Sequence, residues 1–217
     1  MTAAGVEAIL FDFDGTIWDS EAAVFHTYRE LYERHGHTLP VERWVQGVGT
    51  LDGYDPADEL ELLLGRELDA PVDPWERLQH VGLRPGVRAY IDGARVRGIA
   101  LGIVSSNSAR WIEPHLERLG VGGVWDTIRT ADGDTALAKP NPRLYEQALE
   151  DLGVVARRAI AIEDSTHGVV AAKEAGLFCV ACPNEVTERL DLSAADVLVR
   201  SLEELELGRL LALATAG

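Results

Sequence analysis

Positive charge is scarce in this chain. Its 217 residues carry 20 lysines and arginines against 36 aspartates and glutamates, a formal net charge of −16. Surfaces that bind nucleic acid or anionic lipid depend on basic patches to offset phosphate, so neither is an expected partner. The same field repels an anionic substrate at long range, and such a substrate would need local cations at its site. Long apolar runs are missing too: no stretch approaches about 18 consecutive apolar residues, and no membrane span is expected. The opening MTAAGVEAIL has no basic segment ahead of an apolar stretch, which argues against a signal peptide and for a cytoplasmic protein. Only two cysteines occur, Cys179 and Cys182. No second pair completes a zinc site, and in a short strand residues three apart point to opposite faces. Both are therefore expected to be inert core side chains.

What is there is an alternation of short β-rich runs with longer helical patterns, the mark of a parallel sheet flanked by helices. Strands are expected over residues 7–11, 99–104, 127–130, 159–162 and 178–181. Helices are expected near 87–97, 109–119, 142–152 and 166–175. Asn141 followed by Pro142 reads as an N-cap and a first helical proline, and Leu144, Ala148 and Leu152 then recur on one face. Residues 20–84 break the alternation with helical patterns and turns but no convincing strand. Val24, Tyr28, Leu31 and Tyr32 mark one helix there, and Leu60 to Leu64 another. A glycine-rich, acidic loop, Gln46 to Pro56, joins them. The expected architecture is an α/β, Rossmann-like parallel-sheet core (residues 1–18 and 84–217) with a small helical cap domain (residues 19–83) inserted after the first strand.

Chemistry concentrates at the strand ends. Phe11-Asp12-Phe13-Asp14-Gly15-Thr16 directly follows the first apolar strand, where ligands of open parallel sheets sit. Two aspartates two apart crowd negative charge onto one face unless a cation intervenes, and Gly15 permits a sharp departure from the strand. Ile103-Val104-Ser105-Ser106-Asn107 places hydroxyls at the end of the second strand, where Ser105 can donate to a phosphate oxygen or cap the following helix. Lys139 stands immediately before a helix start, within reach of an anion. Glu163 and Asp164 end the fourth strand, and adjacent carboxylates there suit a hard cation with oxygen ligands, magnesium above all.

Taken together and in this order, these segments resemble the haloacid dehalogenase-like superfamily. The match rests on Asp12-x-Asp14-Gly-Thr, Ser105, Lys139 and Glu163-Asp164, the last followed by a Gly-x-x-Ala-Ala helix from Gly168 to Ala172. Within the superfamily the chain is similar to the branch of phosphoglycolate phosphatases, sugar-phosphate phosphatases and β-phosphoglucomutase. The resemblance implies Asp12 as a covalent nucleophile and Asp14 as general acid and base. It implies phosphate binding by Ser105, Ser106 and Lys139, and a magnesium ion held by Asp12, the Asp14 main-chain carbonyl and Asp164, with Glu163 in support. The substrate it implies is a small phosphorylated metabolite, acted on by a monomer or small homo-oligomer.

Specificity is expected from the cap. Arg43, Gly47 and Thr50 are the leading candidates, with Trp18, Glu21, Trp44, Val48, Gly49 and Tyr54 behind them; aromatic residues in small helical caps also pack the cap itself. The rival activity is a phosphomutase that returns the phosphoryl group to a sugar instead of water. The short stretch between Leu68 and Gly82 suggests a wetter site and favours hydrolysis. A dehalogenase would need neither Asp14 as an acid nor Glu163-Asp164 at a metal. A non-catalytic module on this fold would be expected to lack a motif residue, and none is missing.

Overall fold

The computed structural model describes residues 5–51 and 54–216. Its centre is a six-stranded, all-parallel sheet in the order β3-β2-β1-β4-β5-β6. The strands are β1 (Ala8–Phe11), β2 (Ala100–Ser105), β3 (Thr127–Thr130), β4 (Ala159–Glu163), β5 (Phe178–Ala181) and β6 (Val197–Leu198). The α/β, Rossmann-like expectation holds, and five strands fall within a residue or two of where the sequence predicts them. The sixth was missed: β6 is a two-residue edge strand, too short to carry any periodicity.

Period-two alternation separates the two faces of the sheet. Ile9, Phe11, Leu101, Ile103, Ile160, Ile162 and Val180 point to one side. They pack against α5 (Val87–Val96), α6 (Ala109–Arg118) and α9 (Leu207–Ala216), which bury Ile91, Ile112 and Leu210 among others. The opposite face carries smaller residues, Ala8, Ala159, Ala161 and Ala181, beneath α7 (Arg143–Leu152) and α8 (Thr166–Glu174). A sheet covered on both sides reads as near-continuous apolar strands, and the alanine face lets the helix backbones approach closely. Cys179 lies in the alanine-rich layer and Cys182 in the other, both buried and unbridged, as their spacing predicts.

Between β1 and α5 the described chain is helical: α1 (Ser20–Arg34), α2 (Val41–Gln46), α3 (Pro56–Leu64) and α4 (Trp75–Leu78). Local chemistry sets these ends. The Asp19 carboxylate caps α1 by accepting from the Ala22 amide. Asp55 caps α3 ahead of Pro56, and Gly65 ends that helix in a left-handed conformation. The segment has an apolar cluster of its own, including Phe25, Tyr32, Leu39, Trp44 and Leu60, and Val186 from beyond β5 joins it. Leu78 of α4 instead joins the main core beside Trp18. Of the loop from Gln46 to Pro56, Asp52 and Gly53 lie outside the described residues, as do residues 1–4 of the expected core range and Gly217. Among the described residues no helix is long and apolar enough to cross a membrane.

Helix α7 starts one residue later than expected. Pro142 occupies the cap position, and Asn141 still serves the turn, its side-chain oxygen accepting from the Arg143 amide at 2.9 Å.

The tight alanine face makes a stability prediction. Ala161→Leu on β4 forces extra carbon beneath α7 and α8 and should destabilise the fold by about 1–3 kcal/mol. A thermal melt should show Tm falling by several degrees, while the same change at exposed Val155 leaves it nearly unchanged.

Candidate active site

Parallel register brings the carboxyl ends of β1, β2 and β4 to one edge, since Phe11 pairs with both Ile103 and Ile162. The next residue, Asp12, keeps the ladder by donating its amide to the Ile162 carbonyl at 2.9 Å. Asp12, Ser105, Glu163 and Asp164 therefore meet at the centre of that edge, all of them buried. Lys139 arrives from the loop before α7, 1% exposed, with its ammonium 2.5 Å from Asp12 Oδ1 and 2.7 Å from Glu163 Oε1. Tyr145 of α7 donates to the same Glu163 oxygen at 2.5 Å, and the ammonium lies 5.5 Å from its ring centroid.

The electrostatics are one-sided. Burial raises the carboxyl of Asp12, and Lys139 beside it opposes that rise without cancelling it. Burial together with the charges of Asp12 and Glu163 pushes Asp164 well above the usual carboxylate range. Burial also raises Glu163, again against Lys139. Lys139 itself is held above its ordinary value: burial opposes its charge, but Asp12 and Glu163 outweigh burial. One ammonium thus pairs with two buried carboxylates while a third, Asp164, lies beside them without a salt bridge, and the second Glu163 oxygen, Oε2, has no hydrogen-bond partner. Asp12, Glu163 and Asp164 each bring an oxygen within 4.8 Å of the others, which suits a hard divalent cation such as magnesium. The donor set and the uncompensated charge both fit that ion.

The Asp14 side chain stays out of this carboxylate cluster. Its two oxygens accept from Ser20 Oγ at 2.6 Å, Trp111 Nε1 at 2.9 Å and Asn107 Nδ2 at 3.1 Å. Burial raises its carboxyl despite these three donors, which favour the charged form. Backbone positioning is equally specific. Gly15 turns with φ +82°, and a Cβ there would collide with the Asp164 carboxylate. Arg84 holds the turn in place, donating to the carbonyls of Gly15 at 2.5 Å, Cys182 at 2.6 Å and Pro183 at 2.8 Å.

Ser105 lines the cleft over Asp12, its oxygen accepting from the Asn107 amide at 3.1 Å and its proton left to donate. Ser106 differs. Its hydroxyl accepts from the Lys139 amide at 3.1 Å and donates to the Gly49 carbonyl at 2.8 Å, so its proton is directed at the loop. His167 Nδ1 lies 3.0 Å from the Val48 carbonyl, a second tie on that loop. Gly49, at φ +81°, packs its backbone where a Cβ would collide with Ser165.

The specificity candidates divide cleanly. Gly49 and Thr50 line the cleft at Asp12, about 110 Å³ in volume, while Gly47, Val48, Trp44 and Tyr54 line an adjoining chamber of about 320 Å³. Glu21 and Thr50 face both. Surrounding protein and the charges of Asp14, Asp12 and Asp19 push Glu21 up to about 8. Arg43 is taken elsewhere, paired with Glu59 at 3.1 Å and stacked on Tyr54, and it lines neither space. Trp18 is fully buried among Phe13, Trp111 and His115 and donates to the Val81 carbonyl.

Ser20, Trp111, Tyr145, Arg84 and His167 were not singled out from sequence. Only Ser20 had a readable signal, six residues after Asp14 in the same loop; the others act across 18 to 119 positions.

The Glu163 pocket tolerates no added carbon. A Cβ at Gly168 would collide with the Glu163 carboxylate, which Lys139 and Tyr145 pin from the other side. Gly168→Ala is therefore expected to cost about 1–3 kcal/mol despite the better helix propensity of alanine. Urea denaturation reads that loss directly.

The chain is similar to known proteins along most of its length. The family profile described as haloacid dehalogenase-like hydrolase matches residues 9–182. YhcW of Bacillus subtilis is 37% identical over 213 residues, covering 95% of this chain and 96% of its own. The phosphorylated carbohydrates phosphatase of Thermotoga maritima is 30% identical, covering 79% of this chain and 82% of its own. Among solved structures, CbbY from Rhodobacter sphaeroides in complex with phosphate superimposes with a TM-score of 0.72 at 30% identity, covering 94% of this chain and 99% of that one. With the family's motif residues gathered at one sheet edge, the chain belongs to the haloacid dehalogenase-like hydrolases and is a phosphatase of that family.

Proposed function

We infer that the protein is a magnesium-dependent phosphatase that hydrolyses a small phosphorylated metabolite through an aspartyl-phosphate on Asp12. The observation that carries this reading is the buried Asp12–Lys139–Glu163–Asp164 cluster at the ends of the central strands, with Asp14 held by three donors beside it.

Each residue then has a task. A carboxylate oxygen of Asp12 attacks phosphorus in line, and the bond from phosphorus to the ester oxygen breaks. Asp14, whose burial favours its protonated form, gives its proton to the departing alcohol oxygen. Asp14 then takes a proton from the water that attacks the phosphoryl-aspartate, which releases inorganic phosphate and restores Asp12. Ser105 and Lys139 hold the non-bridging oxygens throughout, and Lys139 also fixes the position of Asp12. Asp12, Asp164 and the Asp14 main-chain carbonyl, with Glu163 behind, would hold magnesium, which would supply charge neutralisation between carboxylate and phosphate. In this reading Ser106 serves by tying the loop to the phosphate cradle rather than by binding phosphate.

Residues 19–83 act in this reading as a cap over the cleft. Their contribution of Glu21, Gly49, Thr50 and Leu51 to the walls of the Asp12 cleft supports that role. Hydrolysis rather than phosphoryl return agrees with the relative named for dephosphorylating carbohydrates, and sugar phosphates are the first substrates to test.

Two experiments decide the assignment. Asp12→Asn should keep the fold and lose more than about a thousandfold in kcat, or about 4 kcal/mol of barrier, in a phosphate-release assay with sugar phosphates. Turnover within tenfold of the parent removes Asp12 from the nucleophile role. Separately, magnesium at about a hundred times its Kd should stabilise the fold by about 2.7 kcal/mol, seen as a Tm rise of several degrees without any substrate. Asp164→Asn should abolish that rise.

A further inference from the structure

The two spaces at the sheet edge differ from the phosphate cradle beneath them in one respect: they contain no positive charge. Among the described residues, no lysine, arginine or histidine lines either the cleft over Asp12 or the larger chamber beside it. The two positions outside the described residues in that loop are Asp52 and Gly53, so neither brings a cation. The one arginine on the adjoining helix, Arg43, is committed to Glu59 and the Tyr54 ring. Lys139 is buried beneath the phosphate position and already engaged by two carboxylates.

What the chamber does present is mostly apolar, from Trp44, Val48, Leu51 and Pro56, with Tyr54, the Thr50 hydroxyl and one carboxyl group. That carboxyl belongs to Glu21, in the first turn of α1, at the junction of the two spaces. A first-turn acid commonly serves the helix end. Glu21 differs in position, because it faces the cleft and makes no hydrogen bond or ion pair with any described residue. It offers acceptor oxygens and, in either protonation state, no positive charge. A polar group without a partner at the wall of a ligand space is available to the ligand.

Resting on the phosphatase reading above, we propose that the substrate is a phosphomonoester whose alcohol portion is uncharged or cationic, a polyol or amino-polyol. Glu21 is the specificity-determining residue: it accepts a hydrogen bond from a hydroxyl or ammonium of the leaving group and excludes a second phosphate or a carboxylate. A second anion in the chamber would find no cation to pair with and, once Glu21 is ionised above about pH 8, a like charge at close range. The chamber, about 320 Å³, lies at the lower end of the size range for small-molecule sites, about 300–1,000 Å³, which suits a single sugar-sized group.

The test compares kcat/KM with magnesium at about pH 9, where Glu21 is ionised, for four esters: glucose 6-phosphate, glucosamine 6-phosphate, 2-phosphoglycolate and fructose 1,6-bisphosphate. The wild type should favour the first two over the last two by about a hundredfold, the scale of an unneutralised like-charge contact. Glu21→Gln, which keeps size and removes the charge, should narrow that gap by about tenfold or more and weaken glucosamine 6-phosphate most. Either anionic ester turned over within about threefold of the better neutral or cationic one overturns the proposal, as do unchanged ratios in Glu21→Gln. A calorimetric arm uses the Asp12→Asn protein with magnesium. Glucose 6-phosphate binding at least about tenfold tighter than fructose 1,6-bisphosphate supports the proposal, and equal or reversed affinities overturn it. If no ester releases phosphate, p-nitrophenyl phosphate included, the phosphatase reading fails, and the calorimetric ratio still decides the selectivity of the chamber.

Discussion

Lys139 carries its ammonium into the interior, 2.5 Å from Asp12 and 2.7 Å from Glu163, with 1% of its surface exposed. An unpaired charge at such depth is untenable, and removing one partner of a buried pair costs about 3–5 kcal/mol. Much of the surrounding structure answers that requirement. Tyr145 of α7 closes over Glu163, α8 comes close enough that only glycine fits at position 168, and the Lys139 amide is fixed by Ser106. The sheet register supplies the rest, by delivering β1 and β4 to the same edge. A single cation thus organises the ends of three elements, while leaving the site as a whole short of positive charge. That shortage is what a bound divalent metal would relieve.

Asp14 shows how differently two neighbouring aspartates can be handled. Asp12 has a full positive charge beside it and Asp14 has only neutral donors, Ser20, Trp111 and Asn107. Neutral donors orient a carboxyl group without locking it into one protonation state, which suits the acid and base role proposed for Asp14. The indole of Trp111 is itself wedged by Trp18 and His115, so the aromatic packing under α6 fixes the direction of one donor to Asp14.

Local signals carried most of what could be read from sequence. The strands of the core announce themselves because both faces are covered and their residues are apolar throughout. The motif aspartates, Ser105, Lys139 and Glu163-Asp164 announce themselves because each follows a strand or precedes a helix. What resisted reading depends on contacts made across the fold. Trp111 reaches Asp14 over 97 positions and Arg84 reaches Pro183 over 99, distances at which no residue pattern survives. Arg43 looked like a substrate contact because it is the one cationic side chain near the glycine-rich loop, yet Glu59 of the next helix claims it. Ser106 looked equivalent to Ser105, but adjacent residues at a strand end turn opposite ways, and its hydroxyl meets the Gly49 carbonyl.

That last hydrogen bond links the entrance to the floor. One hydroxyl accepts from the backbone that positions Lys139 and donates to the loop that walls the cleft. Withdrawing the loop strips partners from Ser106 Oγ, His167 Nδ1 and two loop carbonyls, each hydrogen bond worth about 1 kcal/mol net. The loop that walls the cleft is therefore tied to the backbone that positions Lys139, and a displacement of either is felt by the other.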